Sequence, residues 1–346
     1  MSKKKRKPLI EMSKHSQYSL HAAIQDMEPL ENIQKELEKV DHVEPKVVNG
    51  LLRLMEMALN SPNTSIHHWG RTVLRMILEK GTDVTQIDRI YGLAEIIDIP
   101  VLKLCIQQGM SIDIQGGEIE TSMPDRAPLI MHLLRSASVH FHFMVVNPRM
   151  NPHQQATEAI TKVFVIRYLL DHDVDLSIPN KKGFLPVHAL SELMMNEHTR
   201  PIYDIIFERS DMNAQSNAGT TPLMTAVRPN IPRSPYNTLT PVQIIELYLA
   251  AGANPLLRDE DGFTARDYAD NADPQVVALL KRKEREFQEQ AQGAIVARTR
   301  NRQGAQVFPT AIAKRITNFL GGRRTRKNKK SLKRAKSRKS RKSRKG

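Results

Sequence analysis

Residues 209–227 read RSDMNAQSNAGTTPLMTAV, and residues 244–269 read IIELYLAAGANPLLRDEDGFTARDYA, with a proline-rich segment between them. Two devices recur. One is a Gly shortly before a Thr, in Gly219-Thr220-Thr221-Pro222-Leu223 and in Gly262-Phe263-Thr264-Ala265. The other is an amphipathic helix that ends in small residues and an Asn, as in Leu249-Ala250-Ala251-Gly252-Ala253-Asn254. Gly accepts positive φ at a tight turn. Thr221 can cap a helix through its hydroxyl, and Pro222 fits the first helical position. Leu223 is expected to point inward, and Ala226 lets a second helix lie close. That helix carries Ile244, Ile245, Leu247, Tyr248 and Leu249, and Gly252 stops it.

This unit, a turn followed by two antiparallel helices, resembles the ankyrin repeat. The motif G-x-T-P-L-H-x-A-A, an E-I-V-x-L-L-L helix and a G-A-D-V-N exit are matched by GTTPLMTAV, IIELYLAAGANP and SDMNAQSNAG. The resemblance implies an all-α fold, an ankyrin-repeat solenoid of six to seven helix pairs, and a binding scaffold without chemistry of its own. Divergent proteins of this kind occur in large DNA viruses and intracellular bacteria.

Working outward, core positions equivalent to Leu223 fall at Leu20, Leu54, Ile90, Leu129, Val187 and Arg266. Their separations exceed the period of about 33 residues, so inserts are expected in loops, near 136–160 and 228–241. The units are expected to start near 18, 50, 86, 125, 183, 219 and 262, so that the repeat stack spans 18–283. Second helices are expected over 30–40, 69–80, 101–107, 163–170 and 202–207. Arg266, where a core Leu belongs, suits a polar terminal cap. Residues 281–286, KRKERE, extend the final helix or begin a linker. That linker is placed over 284–320, with a short amphipathic helix at Ile312, Ile316, Phe319 and Leu320.

The chain has 346 residues and a formal charge of +15, unevenly spread. Of its 52 Lys and Arg, twenty lie in residues 3–7 and 321–346, which contain no acid, leaving 32 against 37 acidic residues in the body. The body is therefore mildly acidic. Residues 1–17 are expected to form a disordered arm, with Lys3, Lys4, Lys5, Arg6 and Lys7 serving nuclear import or nucleic-acid contact. Residues 321–346 are expected to be a disordered tail. Its cations are Arg323, Arg324, Arg326, Lys327, Lys329, Lys330, Lys333, Arg334, Lys336, Arg338, Lys339, Arg341, Lys342, Arg344 and Lys345. Ser337, Ser340 and Ser343 each follow Lys or Arg, as basophilic kinases prefer. No aromatic residue interleaves the tail, so its binding to nucleic acid would be electrostatic and sequence-blind.

The single cysteine, Cys105, fits a reducing intracellular compartment and a buried structural thiol. The nucleus is the expected location if the arm is an import signal, and the cytoplasm otherwise. No run reaches 18 apolar residues, so no membrane span is expected, and the polar residues after the basic start argue against a secretory signal.

No catalytic constellation, cofactor or metal site is expected. His140 and His142, with His132 and His153 nearby, would share a face on a strand and diverge on a helix; no fixed acid completes a ligand set. His67-His68-Trp69 is as weak a signal. His21 and His188 occupy the T-P-L-H histidine position, where the resemblance implies hydrogen bonds that tie the turn. The same resemblance places the hairpin tips at a protein-binding groove. These tips are Asn180, Lys181 and Lys182; Ser216, Asn217 and Ala218; and Asp259, Glu260 and Asp261.

Three functions are thereby open. The first is a non-enzymatic protein-interaction scaffold with basic tails. The second is a nucleic-acid packaging or condensing protein whose tail is primary. The third is a ubiquitin-ligase adaptor, since Phe308-Pro309 and the stripe through Leu320 resemble the start of an F-box.

Overall fold

The computed structural model describes residues 6–58, 65–115, 127–146, 152–228, 238–269 and 273–298. The described chain is α-helical and contains no strand, only the isolated bridges Val43–Thr82 and Gln115–Pro128. None of its helices is long and apolar enough to cross a membrane. The chain divides into two compact units, Met1–Ser210 with Pro232–Thr238, and Asp211–Ile231 with Leu239–Gly346.

The first unit holds α1 (Arg6–Gln25), α2 (Leu30–Glu38), α3 (Pro45–Met57), α4 (Ser65–Lys80), α5 (Ile90–Ile96), α6 (Ile99–Gln107), α7 (Leu129–Val146), α8 (Pro152–Asp171), α9 (Pro186–Ala189) and α10 (Arg200–Arg209). Odd-numbered helices pack in succession from α1 to α9, and even-numbered ones from α2 to α10. The stripes explain this. In α3, Val47, Val48, Leu51, Leu52 and Met55 are buried at helical spacing, while Arg53 is exposed. In α5, six of the seven residues are buried, so this short helix has neighbours nearly all round. Gly92 lets α5 approach α3 closely, because a Cβ there would lie 2.1 Å from the Leu52 carbonyl oxygen.

The second unit holds α11 (Pro222–Ala226), α12 (Pro241–Ala250), α13 (Ala265–Tyr268) and α14 (Pro274–Arg298). Here α11 packs on α12 and α13, and α14 on α12 and α13. The caps follow the sequence. The Thr221 hydroxyl accepts the Met224 N–H at 3.3 Å, with Pro222 opening the helix. Thr240 and Gln243 cap each other reciprocally at the start of α12. Glu284 of α14 meets the Arg266 guanidinium of α13 at 3.2 Å.

Several expectations are corrected. The arm of residues 1–17 is helical from Arg6 onward, and Gln17 is buried, donating to the His42 carbonyl and accepting the Glu44 N–H. Ser19-Leu20-His21 therefore lies within a continuous helix, not at a turn. The 136–160 insert is no loop, because α7 and α8 run through it as a longer hairpin and leave only 147–151 between them. Helix also replaces linker over 284–298. Lys3, Lys4 and Lys5, the 229–237 part of the second insert, the F-box-like stretch and the basic tail lie outside the described residues, as do the side chains of Arg6 and Lys7.

Two substitutions separate close packing from turn strain. Gly81 has φ +97° and open space around its missing Cβ, so Gly81→Ala should cost about 1–2 kcal/mol through the left-handed backbone alone. Gly92→Ala must separate two backbones and should cost more, on the order of 3 kcal/mol, despite alanine's better helix propensity. Urea unfolding of both variants checks the order, and equal stabilities would contradict it.

Candidate functional site

The three expected tips share one local geometry. In each, a backbone hydrogen bond closes the loop, from Asn180 N to Phe184 O, Ser216 N to Thr220 O and Asp259 N to Phe263 O, at 2.9–3.0 Å. Gly183, Gly219 and Gly262 supply positive φ at the turn. The first residue of each tip spends its side chain on the loop. Asn180 Oδ1 accepts the N–H groups of Lys182 and Phe184, Ser216 Oγ accepts that of Thr220, and Asp259 Oδ1 accepts that of Phe263. Ser216 and Asp259 are buried, and Tyr268 donates to the second oxygen of Asp259. These three residues build the turns. Lys181, Lys182, Asn217, Glu260 and Asp261 are exposed.

Neighbouring turns are tied as well. Within the second unit, the Glu260 N–H donates to the Ala218 carbonyl, and Gln215 Nε2 donates to the carbonyls of Gly219 and Arg258. Asn213 Oδ1 accepts the Asn254 N–H at 2.7 Å. In the first unit Asp113 Oδ1 accepts that of Asp175 at the same distance. His188 does tie its turn, through Nδ1 accepting the Leu185 N–H at 3.1 Å. His21 does not. Its ring packs against Gly50, and its Nδ1 is buried without a hydrogen bond.

The described residues also assemble a buried polar cluster in the first unit, at the C-terminal end of α5. A helix end leaves carbonyls without intrahelical donors. Here Lys162 of α8, fully buried, donates to the Glu95 carbonyl at 2.6 Å and to that of Ile97 at 3.4 Å. Arg71 of α4 donates to the Ile96 carbonyl at 2.9 Å and to Glu158 Oε2 at 2.7 Å. Glu158 also faces Lys162 at 3.8 Å. Asp98 caps α6 through the Val101 N–H and meets Arg75 at 3.2 Å. Burial pushes the Lys162 ammonium down to about 8, against the pull of Glu158 and Glu95. Burial raises the Glu158 carboxyl, but Lys162 and Arg71 outweigh it and hold it below the ordinary carboxylate range.

Beside this network stand His67 of α4, the Glu95 side chain of α5 and His140 of α7, all buried. One ligand atom from each lies within 4.8 Å of the other two. His140 Nδ1 donates to Gln155 Oε1 at 2.7 Å, and its Nε2 is 3.5 Å from Glu95 Oε2. The two imidazoles meet edge to face, with centroids 5.7 Å apart. Burial pushes His67 down to about 4, outweighing the attraction of Glu95. Burial raises Glu95 too, but His140, Lys162 and His67 together hold it below its usual value.

His140 and His142 do diverge on α7, as a helix requires, and His140 finds its partners on other helices. The expectation of no metal site rested on local spacing, whereas these ligand-type residues come from three separate helices. Cys105 is buried, and burial pushes its thiol up to about 12, as a packed structural cysteine requires. Models of known protein families and the curated proteins contain no match to this chain.

Two expected outcomes follow from the cluster. Lys162→Met leaves the α5 carbonyls without their donor and should destabilise the first unit by about 3–5 kcal/mol. Chemical denaturation reads this, and a loss under about 1 kcal/mol would contradict the network. His67 is held neutral in the folded protein, whereas the unfolded chain takes up that proton near pH 6.5. Its stabilising contribution is therefore complete above pH 6.5 and lost as pH falls towards 4. Melting temperature should fall over that window, and His67→Phe should flatten the fall if the fold accepts the ring.

Proposed function

We infer that the protein is a non-enzymatic interaction scaffold of the ankyrin-repeat type, with a protein partner held by its exposed hairpin tips and basic termini that associate with nucleic acid. The observation that carries the reading is the recurrence of one tip geometry at Asn180, Ser216 and Asp259. Loops closed by the same hydrogen bond present different side chains: Lys181 and Lys182 at one, Asn217 at the next, Glu260 and Asp261 at the third. A closed loop with variable, exposed residues is what a recognition surface needs, and the basic tip of the first unit and the acidic tip of the second each favour a partner segment of complementary charge. Alternating packing of odd and even helices within the first unit supports the same type of fold. The solenoid extends to six or seven helix pairs in this reading.

The termini play a separate part. Residues 321–346 hold fifteen cations and no acid, so they bind phosphate backbones without reading sequence, and the arm at residues 3–7 directs nuclear import.

Two measurements test this division. If about eight tail cations contact duplex phosphates, log affinity should fall against log salt with a slope near about −7, equally on two unrelated sequences. Deleting 321–346 should abolish most of that binding and leave the melting temperature unchanged. Phosphate at Ser337, Ser340 and Ser343 adds about −1.5 to −2 charges each and should weaken it sharply. Separately, affinity purification with nuclease treatment should recover a protein partner with and without the tail. Charge reversal at Lys181, Lys182, Glu260 and Asp261 should remove it. Only nucleic acid recovered, with no partner sensitive to the tips, would favour packaging as the primary role.

A further inference from the structure

We propose that His67, Glu95 and His140 form a buried binding site for a divalent transition-metal ion, Zn²⁺ by the ligand set, which clamps α4, α5 and α7 together. The first ground is convergence. Three residues of the types that bind zinc bring ligand atoms within 4.8 Å of one another. Zinc sits about 2.0–2.1 Å from such ligands, which places tetrahedral ligand atoms roughly 3.3 Å apart. His140 Nε2 and Glu95 Oε2 are already 3.5 Å apart, and with His67 as the third ligand a water molecule would fill the fourth tetrahedral position.

The second ground is what these atoms lack. Both ring nitrogens of His67, Oε1 of Glu95 and Nε2 of His140 are buried without a hydrogen bond. Buried polar atoms are ordinarily satisfied, and leaving one unsatisfied costs about 1–3 kcal/mol. Here the unsatisfied atoms belong to the same three residues whose ligand atoms gather within 4.8 Å. A proton shared between His140 and Glu95 would answer for one contact and leave His67 with no partner at all. A metal ion answers for one atom of each residue.

The third ground lies behind His140. Gln155 Oε1 can only accept, so the 2.7 Å contact places a proton on Nδ1 and leaves Nε2, beside Glu95, as the nitrogen that a metal ion could take. That is the arrangement in which an outer partner fixes the tautomer of a ligating imidazole. Lys162 spends its hydrogen bonds on backbone carbonyls and faces Glu158, and it acts on the Glu95 carboxylate only through its charge. Two imidazoles and one carboxylate suit zinc and related divalent ions, not calcium or magnesium, which take oxygen ligands. The three side chains are 1–4% exposed, which assigns the ion a structural and not a catalytic role.

The test uses untagged full-length protein. Elemental analysis should find about one zinc per chain. Chelation should lower the melting temperature, and added Zn²⁺ should restore it. Co²⁺ in place of zinc should give the visible absorption of a four-coordinate site, lost in His67→Ala and Glu95→Gln. Gln155→Leu keeps all three ligands, so it should fold and yet bind zinc about 10–100-fold more weakly. This variant decides the matter if a ligand substitution fails to fold. A melting temperature indifferent to both chelator and Zn²⁺ would overturn the proposal. So would stoichiometric zinc that survives all three substitutions, which would place it elsewhere on the chain.

Discussion

The ammonium of Lys162 closes the open end of α5, and much of the first unit depends on it. A seven-residue helix cannot sustain itself, because nucleation is unfavourable and few backbone bonds repay it. α5 is held by burial on nearly every side. Burial, however, removes water from its last carbonyls, which then need donors from the protein. Lys162 supplies two and Arg71 a third. Each donor brings a charge into the interior; Glu158 faces both, and Asp98 lies 3.7 Å from Arg71. The polar network is thus a consequence of placing a short helix at the centre of the unit, not an addition to it.

Close packing imposes the same logic on the other side of α5. Gly92 removes a side chain where the backbones of α3 and α5 meet. Contact that close leaves no room for water and none for a side chain that could donate to the end of α5 from that direction. Donors must come from α4 and α8. Tight apolar contact on one face and ionic satisfaction on the other are two halves of one arrangement.

How far this was legible follows from the range of each interaction. The caps at Thr221 and Thr240, the stop at Gly252 and the tips at Asn180, Ser216 and Asp259 are made within four residues, and their chemistry is written in consecutive letters. The all-α character was readable for the same reason. The segment 136–160 was expected as a loop because the separation of Leu129 from Val187 exceeds the repeat period, although Leu133, Ser136, Ala137 and His140 keep helical spacing; Val139, Phe141, Phe143 and Val145 alternate as a strand would. Both patterns are present, and the facing helix α8 decides between them. The buried cluster was not legible at all. Its residues are brought together from positions 67, 71, 95, 140, 158 and 162, and no local spacing joins them. One signal was available: Glu95 and Lys162 each interrupt a strongly apolar run, and a charge inside such a run implies a buried partner elsewhere.

The pairing of Arg71 with Glu158 also has a meaning for synthesis. The two residues are 87 apart in sequence. At about 5–20 residues per second, a ribosome takes roughly 4–17 s to make that interval. During it α4 and α5 are completed, yet Arg71 has no carboxylate from α8 and the carbonyls of Glu95 and Ile97 have no ammonium. Early helix pairs in a linear succession could otherwise dock one after another as they emerge. Here the third pair gains its polar partners only when the fourth is made, so the carbonyls at the end of α5 lack their native donor until α8 has left the exit tunnel.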